Sequence, residues 1–237
     1  MQIKHYYSPH AVGEASGEAM IFKLGVGQLL DEIRQSILQS HLIISNTPTV
    51  TKGKGITGIP NLAGGLNDGL AASLRSLGWG PLKAPGAHGA GARLDWYKTL
   101  PSGISFGPER IGVGVEVQFG NNFQFNADLQ RLNEAILQGS IVAGVCIVAS
   151  DRLRIYKADR GAYFSQEKQK LDRHLALLLG SGVARMPGYV LIGIEHDEFG
   201  FSDAKVGKGQ FHLAAPIFDP VRGVLGPIGY EYFGENI

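Results

Sequence analysis

The spacing of hydrophobic residues changes along the chain, and the change separates segments predicted to be helical from segments predicted to be strands. Apolar residues recur every three or four positions from Leu29 to Leu38, which predicts an amphipathic helix over residues 28–39. Similar patterns predict further helices over residues 62–77, 124–138 and 165–179. Short apolar runs predict strands at RLDWY, IGVGVEVQF, SIVAGVCIVA and GYVLIGI.

The order of these elements predicts the fold class. SIVAGVCIVA and GYVLIGI are apolar almost throughout, as expected for central strands that are covered on both faces. Such strands, placed between amphipathic helices, predict an α/β fold with a central mixed sheet flanked by helices. No repeat or linker divides the chain, so residues 1–237 are predicted to form one domain. The segment 196–237 is acidic and contains scattered prolines, and we expect it to be a less regular C-terminal extension.

Composition and charge exclude several classes of protein. The 22 basic and 21 acidic residues nearly balance, which argues against binding of nucleic acid by bulk electrostatics alone. Residues 49–110 nevertheless contain seven basic and three acidic residues, so the middle of the chain could face an anion. No apolar run is long enough to span a bilayer, and the N-terminus lacks a signal-peptide pattern, so we expect a cytoplasmic protein with no membrane partner.

The strand IGVGVEVQF contains the most informative polar residues. Alternation places Gly112, Gly114, Glu116 and Gln118 on one face and apolar residues on the other. We expect the two glycines to leave room for a ligand to approach the strand beside the carboxylate and the amide. An amphipathic strand with one face in water would show the same alternation, and this is the alternative interpretation.

Asp95 in RLDWYK is a second candidate carboxylate, 21 residues before Glu116. A carboxylate flanked by bulky apolar residues is costly to bury without a partner. One interpretation is a surface aspartate paired with Lys98. The other is that Asp95 and Glu116 converge on Mg²⁺, which prefers carboxylate oxygens together with main-chain carbonyls, waters and phosphates. Val117 could supply the main-chain carbonyl.

The segments RLDWYK and RIGVGVEVQFGNN, with the helices and apolar strands after them, resemble the BamHI/BglII/BstYI group of type II restriction endonucleases. EVQFGN is the most specific piece, and the resemblance covers about residues 1–195. It implies the PD-(D/E)xK nuclease fold and Mg²⁺-dependent hydrolysis of double-stranded DNA at a palindromic site with a GATC core. It also implies a cognate DNA methyltransferase as functional partner in a restriction-modification system.

The resemblance also assigns the candidate catalytic residues. Asp95 and Glu116 correspond to the metal-binding carboxylates of the group, and Gln118 stands where most PD-(D/E)xK enzymes have lysine and this group has Gln or Glu. Without lysine, activation of the attacking water would rest on the metal. A shorter alignment would place Ser105 at the aspartate position, and Glu109 is a further alternative, although serine is a poor Mg²⁺ ligand.

Residues for DNA recognition are assigned in the same way. The resemblance implies that Asn121 reaches the GATC core, and asparagine can bond adenine in bidentate fashion. If Asp159 and Arg160 read an outer G·C pair, the target resembles GGATCC, and RGATCY, the other common target of the group, is the alternative. The alternatives are a turn asparagine and a surface ion pair. Lys52 and Lys54, in a loop predicted to be mobile, would contact phosphates.

A protein with two-fold symmetry can bind both halves of a palindromic site in the same way, so we expect a homodimer. The helices 28–39 and 124–138 are candidates for the dimer interface or for its edges. Two other functions remain open. A non-cleaving DNA-binding protein would keep the recognition residues, and a metal-dependent hydrolase of a small phosphoester would keep the carboxylates. Salt-sensitive affinity for duplex DNA would separate the last function from the other two.

Overall fold

A six-stranded mixed sheet lies at the centre of the structure, which is a computed structural model. The structure describes residues 1–9, 17–23, 25–40, 50–51, 55–56, 62–83, 92–101, 110–119, 122–151, 162–181, 188–195, 204–206, 209–213, 218–219, 224–225 and 230–233. The elements in chain order are β1 (Gln2–Tyr7), α1 (Gly17–Lys23), α2 (Gly27–Gln39), β2 (Val50–Thr51), β3 (Gly55–Ile56), α3 (Leu62–Ser76), β4 (Gly80–Lys83), β5 (Ala92–Pro101), β6 (Arg110–Gln118), α4 (Phe125–Leu137), β7 (Ala143–Ala149), α5 (Phe164–Gly180), β8 (Gly188–Glu195), β9 (Ala204–Val206), β10 (Gly209–Leu213), β11 (Phe218–Asp219), β12 (Val224–Leu225) and β13 (Tyr230–Phe233).

The strand order of the central sheet is β1-β8-β7-β6-β5-β4. Strands β6, β7 and β8 run parallel, whereas β5 pairs antiparallel with β6 and with β4, and β1 pairs antiparallel with β8. Parallel neighbours need crossover connections, which α4 and α5 supply. Both crossovers step in the same direction across the sheet, so a common handedness places both helices on one face. The predicted mixed sheet flanked by helices is confirmed.

Two hydrophobic cores lie on opposite faces of the sheet. One joins α1, α2 and α3 to side chains of the central strands, and its helical members include Leu29, Ile33 and Leu74. The other joins α4 and α5 to the opposite side chains of the same strands, and it includes Leu132 and Leu171. Burial on both faces explains why β7 and β8 are apolar along their whole length.

The four predicted helices are confirmed as α2, α3, α4 and α5, with ends that differ by at most one residue. The first strand and the short helix α1 were not predicted, because β1 is an edge strand of intermediate burial and α1 spans two turns. Two antiparallel strands of two residues each, β2 and β3, lie within the segment predicted to be a loop. The segment expected to be irregular at the C-terminus contains the five short strands β9 to β13. Among the described helices, none has the length and apolar character needed to cross a bilayer.

The expectation that Gly112 and Gly114 leave room for a ligand is wrong. A Cβ atom on Gly112 would lie 2.7 Å from a ring carbon of Tyr97 and 2.8 Å from the main-chain oxygen of Ser140. A Cβ atom on Gly114 would lie 3.2 Å from Leu132 Cδ2 of α4. The protein itself fills the space above both glycines. The nearest atoms to a Cβ on Gly114 are Leu94 Cδ1 at 2.6 Å and Ile141 Cδ1 at 2.9 Å, so the glycines let side chains of β5, of α4 and of the segment before β7 pack directly against β6.

Candidate active site

Asp95 and Glu116 lie together where β5 and β6 run side by side. Trp96 pairs with Val115 in the antiparallel ladder, so Asp95, which precedes Trp96, lies opposite Glu116, which follows Val115. One residue further along β6, the Val117 N–H donates to Asp95 Oδ2 at 3.0 Å. The Asp95 side chain therefore replaces a main-chain acceptor at this position. The two predicted carboxylates and the predicted main-chain position therefore occupy one place, at the carboxyl end of β6.

In the alternative interpretation of Asp95, the surface position is correct but the pairing with Lys98 is wrong. Lys98 Nζ donates to Glu32 Oε2 at 2.6 Å and to the Leu77 carbonyl at 2.7 Å, on the face of the sheet that carries α2 and α3. Asp95 is exposed, and it lines a cleft that Gln118 and residues of α4 also line.

Glu116 is almost fully buried, with 1% of its surface exposed. Its carboxylate faces α4, where Arg131 Nε donates to Oε1 at 2.9 Å and Arg131 Nη2 donates to Oε2 at 3.3 Å. Burial raises the pKa of Glu116 to about 8, and the nearby charge of Asp95 adds to the increase while Arg131 opposes it. The guanidinium is therefore an incomplete counter-charge for this carboxylate.

Two residues of the site, Asp128 and Arg131, were not predicted. They lie three positions apart on α4 and so share a helical face, and Arg131 Nη2 donates to Asp128 Oδ1 at 2.5 Å. Asp128 is also buried, which raises its pKa, and its other oxygen accepts from Gln118 Nε2 at 3.3 Å. The signal in the sequence was the spacing DLQR soon after EVQ, but pairs of this kind occur on most amphipathic helices, so the spacing alone is not informative.

These side chains border a cleft with a volume of about 380 Å³. The cleft is lined by Asn67, Leu70, Ala71, Asp95, Trp96, Val117, Gln118, Gln124, Asp128 and Arg131. Arg131 therefore faces the cleft, whereas Glu116 does not line it and lies behind the guanidinium. The cleft combines four elements of the fold, because α3, the ends of β5 and β6, and the first turns of α4 all contribute.

The donor atoms at this site fit a hard divalent cation. Carboxylate oxygens of Asp95 and Glu116 and the main-chain carbonyl of Val117 are oxygen donors, which Mg²⁺ prefers. Within the described parts of the chain, no three Asp, Glu, His or Cys side chains are arranged to hold one ion. A cation here would therefore need main-chain, water or phosphate oxygens to complete its shell, as Mg²⁺ sites commonly do.

The other predicted site residues lie outside the described ranges. For DNA recognition these are Asn121, Asp159, Arg160, Lys52 and Lys54, and for the alternative metal ligands they are Ser105 and Glu109.

Comparisons with known proteins identify the family. The model of the restriction endonuclease BglII/BglIII family matches residues 16–194. The fold is similar to the crystal structure of restriction endonuclease BglII complexed with a DNA 16-mer, with a TM-score of 0.55 and 15% sequence identity over 98% of this chain and 91% of that chain. No curated protein sequence matched the chain. The resemblance inferred from RLDWYK and EVQFGN is confirmed. The family match extends over well more than half of the sequence, and the chain therefore belongs to the BglII/BglIII family of restriction endonucleases, which are site-specific deoxyribonucleases.

Proposed function

We propose that the chain hydrolyses double-stranded DNA with Mg²⁺ at a palindromic site with a GATC core, and that Asp95, Glu116 and Gln118 are its catalytic residues. The observation that supports the proposal is the convergence of Asp95 with the Glu116–Gln118 end of β6 on one cleft, fixed by the bond from Val117 N–H to Asp95. A cleft that combines carboxylates with main-chain oxygens suits a phosphodiester substrate and its metal.

Each residue has a part that follows from its position. Asp95, Glu116 and the Val117 carbonyl would hold the metal, which when bound lowers the pKa of a water and neutralises charge on the phosphate. The hydrogen bond from Val117 N–H orients the Asp95 carboxylate. Gln118 is neutral, so it orients groups rather than supplying charge, and its bond to Asp128 fixes the amide at the cleft wall.

Base recognition is proposed for Asn121 and for the pair Asp159 and Arg160. Asn121 follows Gln118, the last residue of β6, by three positions in the sequence. Asp159 and Arg160 belong to the segment 152–161 that follows β7, and β7 runs parallel to β6. Both segments therefore leave the same edge of the sheet, which supports a common DNA surface there. Arginine to guanine and aspartate to cytosine would select GGATCC over RGATCY.

Lys52 and Lys54 are proposed to contact DNA phosphates. They lie between the short strands β2 and β3, in the basic part of the chain. Such contacts position the duplex without reading its sequence. Replacing either lysine with alanine should weaken binding to all sequences alike and reduce the dependence of affinity on salt by about one counterion.

A homodimer is proposed because the target is two-fold symmetric. Leu38 in α2 and Leu137 in α4 are 58% and 67% exposed, so both helices that we consider for the interface present apolar surface. Sedimentation equilibrium would measure the assembly. A cognate methyltransferase would protect host DNA and would act as a functional partner rather than a bound subunit.

The test is digestion of a plasmid of known sequence with Mg²⁺ or with EDTA. We expect discrete fragments that require the metal and that disappear with Asp95→Asn, while the control Asp31→Asn, at an exposed position of α2, cleaves like the wild type. The mapped ends decide between GGATCC and RGATCY. Intact DNA together with tight binding in a gel shift would instead indicate a non-cleaving DNA-binding protein. Hydrolysis of a small phosphoester without salt-sensitive duplex binding would indicate a phosphoesterase.

A further inference from the structure

Arg131 is paired with Glu116, one of the carboxylates that would bind the proposed metal. Its Nε and Nη2 atoms contact both oxygens of Glu116 at 2.9 and 3.3 Å, and Nη2 also contacts Asp128 at 2.5 Å. A two-point contact of this kind is the strongest form of arginine–carboxylate pairing. The proposed function gives Arg131 no catalytic role, although its side chain forms part of the cleft wall.

A divalent cation and this guanidinium compete for Glu116, because Arg131 already donates to both carboxylate oxygens and the two positive charges repel each other. Mg²⁺ binds an oxygen directly, at about 2.1 Å, and so requires at least one oxygen that Arg131 now contacts. Two cations on one carboxylate also repel each other strongly in a partly buried site. Asp95, by contrast, is exposed to the cleft, so the approach to the site is open on one side and closed on the other.

We propose that Arg131 competes with the divalent metal for Glu116, and that metal binding transfers the guanidinium from Glu116 to a DNA phosphate in the same cleft. Asp128 makes this exchange local. It lies three positions from Arg131 on α4 and contacts Nη2, so it retains the guanidinium at the cleft after Glu116 is released. Arginine is well suited to the second contact because its planar fork matches a phosphate as well as a carboxylate.

The proposal also accounts for the neutral residue at position 118. Hydrolysis of a phosphodiester develops negative charge, and a fixed cation near the phosphate stabilises it. Gln118 cannot supply this charge, whereas Arg131 of the neighbouring helix lines the same cleft. The inference rests on the proposed function, since it assumes that Asp95 and Glu116 bind the metal.

The first test measures Mg²⁺ binding to the DNA-free protein by isothermal titration calorimetry. We expect Arg131→Ala to bind Mg²⁺ at least about tenfold more tightly than the wild type, because the competing charge is gone. Arg131→Lys, which keeps the charge but loses the fork, should lie between them. The control Arg110→Ala removes a cation at the opposite end of β6, where the side chain bonds only to Thr99 among the described contacts, and should bind like the wild type.

The outcomes separate the two levels of the proposal. If Glu116→Gln abolishes Mg²⁺ binding and Arg131→Ala binds no more tightly than the wild type, the competition is refuted while the metal site stands. If neither the wild type nor Arg131→Ala binds Mg²⁺, the proposed metal site is refuted together with the competition. Weaker binding by Arg131→Ala would show that Arg131 only holds Glu116 in place.

A second test uses the wild-type protein and so does not depend on the folding of a variant. The Nε–H group of Arg131, identified by its loss in Arg131→Lys, gives a separate nitrogen–proton NMR signal. Addition of Mg²⁺ should shift this signal and speed its exchange with water, because the bond to Glu116 breaks. An unchanged signal at saturating Mg²⁺ would overturn the proposal.

Cleavage kinetics test the transfer to phosphate. At saturating Mg²⁺ and DNA, Arg131→Ala should cleave at least about tenfold more slowly in a single turnover, although it binds the metal more tightly. A purely structural role of Arg131 would weaken both properties together. Unchanged cleavage by a variant with tighter metal binding would refute the phosphate contact.

Discussion

Two buried glutamates, one on each face of the sheet, have opposite surroundings. Glu32 of α2 accepts three hydrogen bonds, from Lys98 Nζ at 2.6 Å, Gln28 Nε2 at 2.9 Å and Trp79 Nε1 at 3.0 Å. Glu116 of β6 has the guanidinium of Arg131, which it shares with a second carboxylate. Both glutamates are paired with a cation, but only the first is surrounded by donors.

The difference is the one expected between a structural carboxylate and a carboxylate with the function proposed for Glu116. The contacts of Glu32 join α2 to β5 and to the end of α3, and they satisfy a charge that would be costly to bury alone. Around Glu116, the carboxylates of Asp95 and Asp128 raise its pKa in addition to burial, and a cleft lies next to them. Unbalanced negative charge beside a cleft indicates a site for a cation.

The largest expected effect is on cleavage by Glu116→Gln. The amide is nearly isosteric but cannot hold the metal, so several kcal/mol of charge stabilisation is lost and single-turnover cleavage should fall by about 10³-fold or more. The melting temperature should change little, because the weakened pairing with Arg131 is offset by removal of the repulsion between Glu116 and the carboxylates of Asp95 and Asp128. Single-turnover cleavage and thermal unfolding measure the two effects, and a stability loss without a cleavage defect would contradict the comparison.

Glu32→Ala should give the reverse result. It leaves Lys98 and Trp79 without their buried acceptor, so the free energy of unfolding should decrease by about 3–5 kcal/mol. Denaturant unfolding provides the measurement. The control is Glu18→Ala, which breaks a partly exposed pair with Arg34 and should cost less than about 1 kcal/mol. Equal losses in the two variants would mean that the Glu32 cluster is no more than a surface pair.

Gly114→Ala tests whether close packing of α4 brings Arg131 to Glu116. The added methyl group would lie 2.6 Å from Leu94 Cδ1, 2.9 Å from Ile141 Cδ1 and 3.2 Å from Leu132 Cδ2 of α4, so these side chains must shift, and we expect a loss of about 1–3 kcal/mol in stability and a further decrease in cleavage. Gly80→Ala is the matched control, because a Cβ at that strand position meets nothing within 4 Å. If both variants unfold and cleave alike, the glycine does not set the position of α4.

The smallest effect, when expressed per pH unit, is a pH dependence of stability in the metal-free protein. The pKa of Glu116 is raised to about 8, so the native state retains a proton that the unfolded chain releases near pH 4.5. The contribution of Glu116 to stability is therefore fully present below about pH 4.5 and is lost as pH rises from there through about 8. The loss is at most about 1.4 kcal/mol per pH unit. The wild type minus Glu116→Gln difference in unfolding free energy isolates this slope. Saturating Mg²⁺ should flatten it, and a slope of opposite sign would contradict the assignment.

Local pattern was sufficient for most elements and for part of the site. The apolar stripe of α2 and the uninterrupted runs of β7 and β8 depend on near neighbours in sequence, and they were predicted. Asp95 and Glu116 were proposed as site residues because two strands carry one motif each, and the structure places the two residues side by side. The partners of Lys98 could not be found in this way, since Glu32 lies 66 residues away from it.

The amino-acid sequence alone establishes an α/β nuclease-like chain with candidate carboxylates at Asp95 and Glu116, because periodicity and motif residues are local properties. Packing establishes the rest. It places α4 over Gly114, so that Arg131 covers Glu116, and it places Lys98 against Glu32 rather than Asp95. The physical reason is that the burial of a charge, and the partner that compensates it, depend on which distant segments share a face of the sheet.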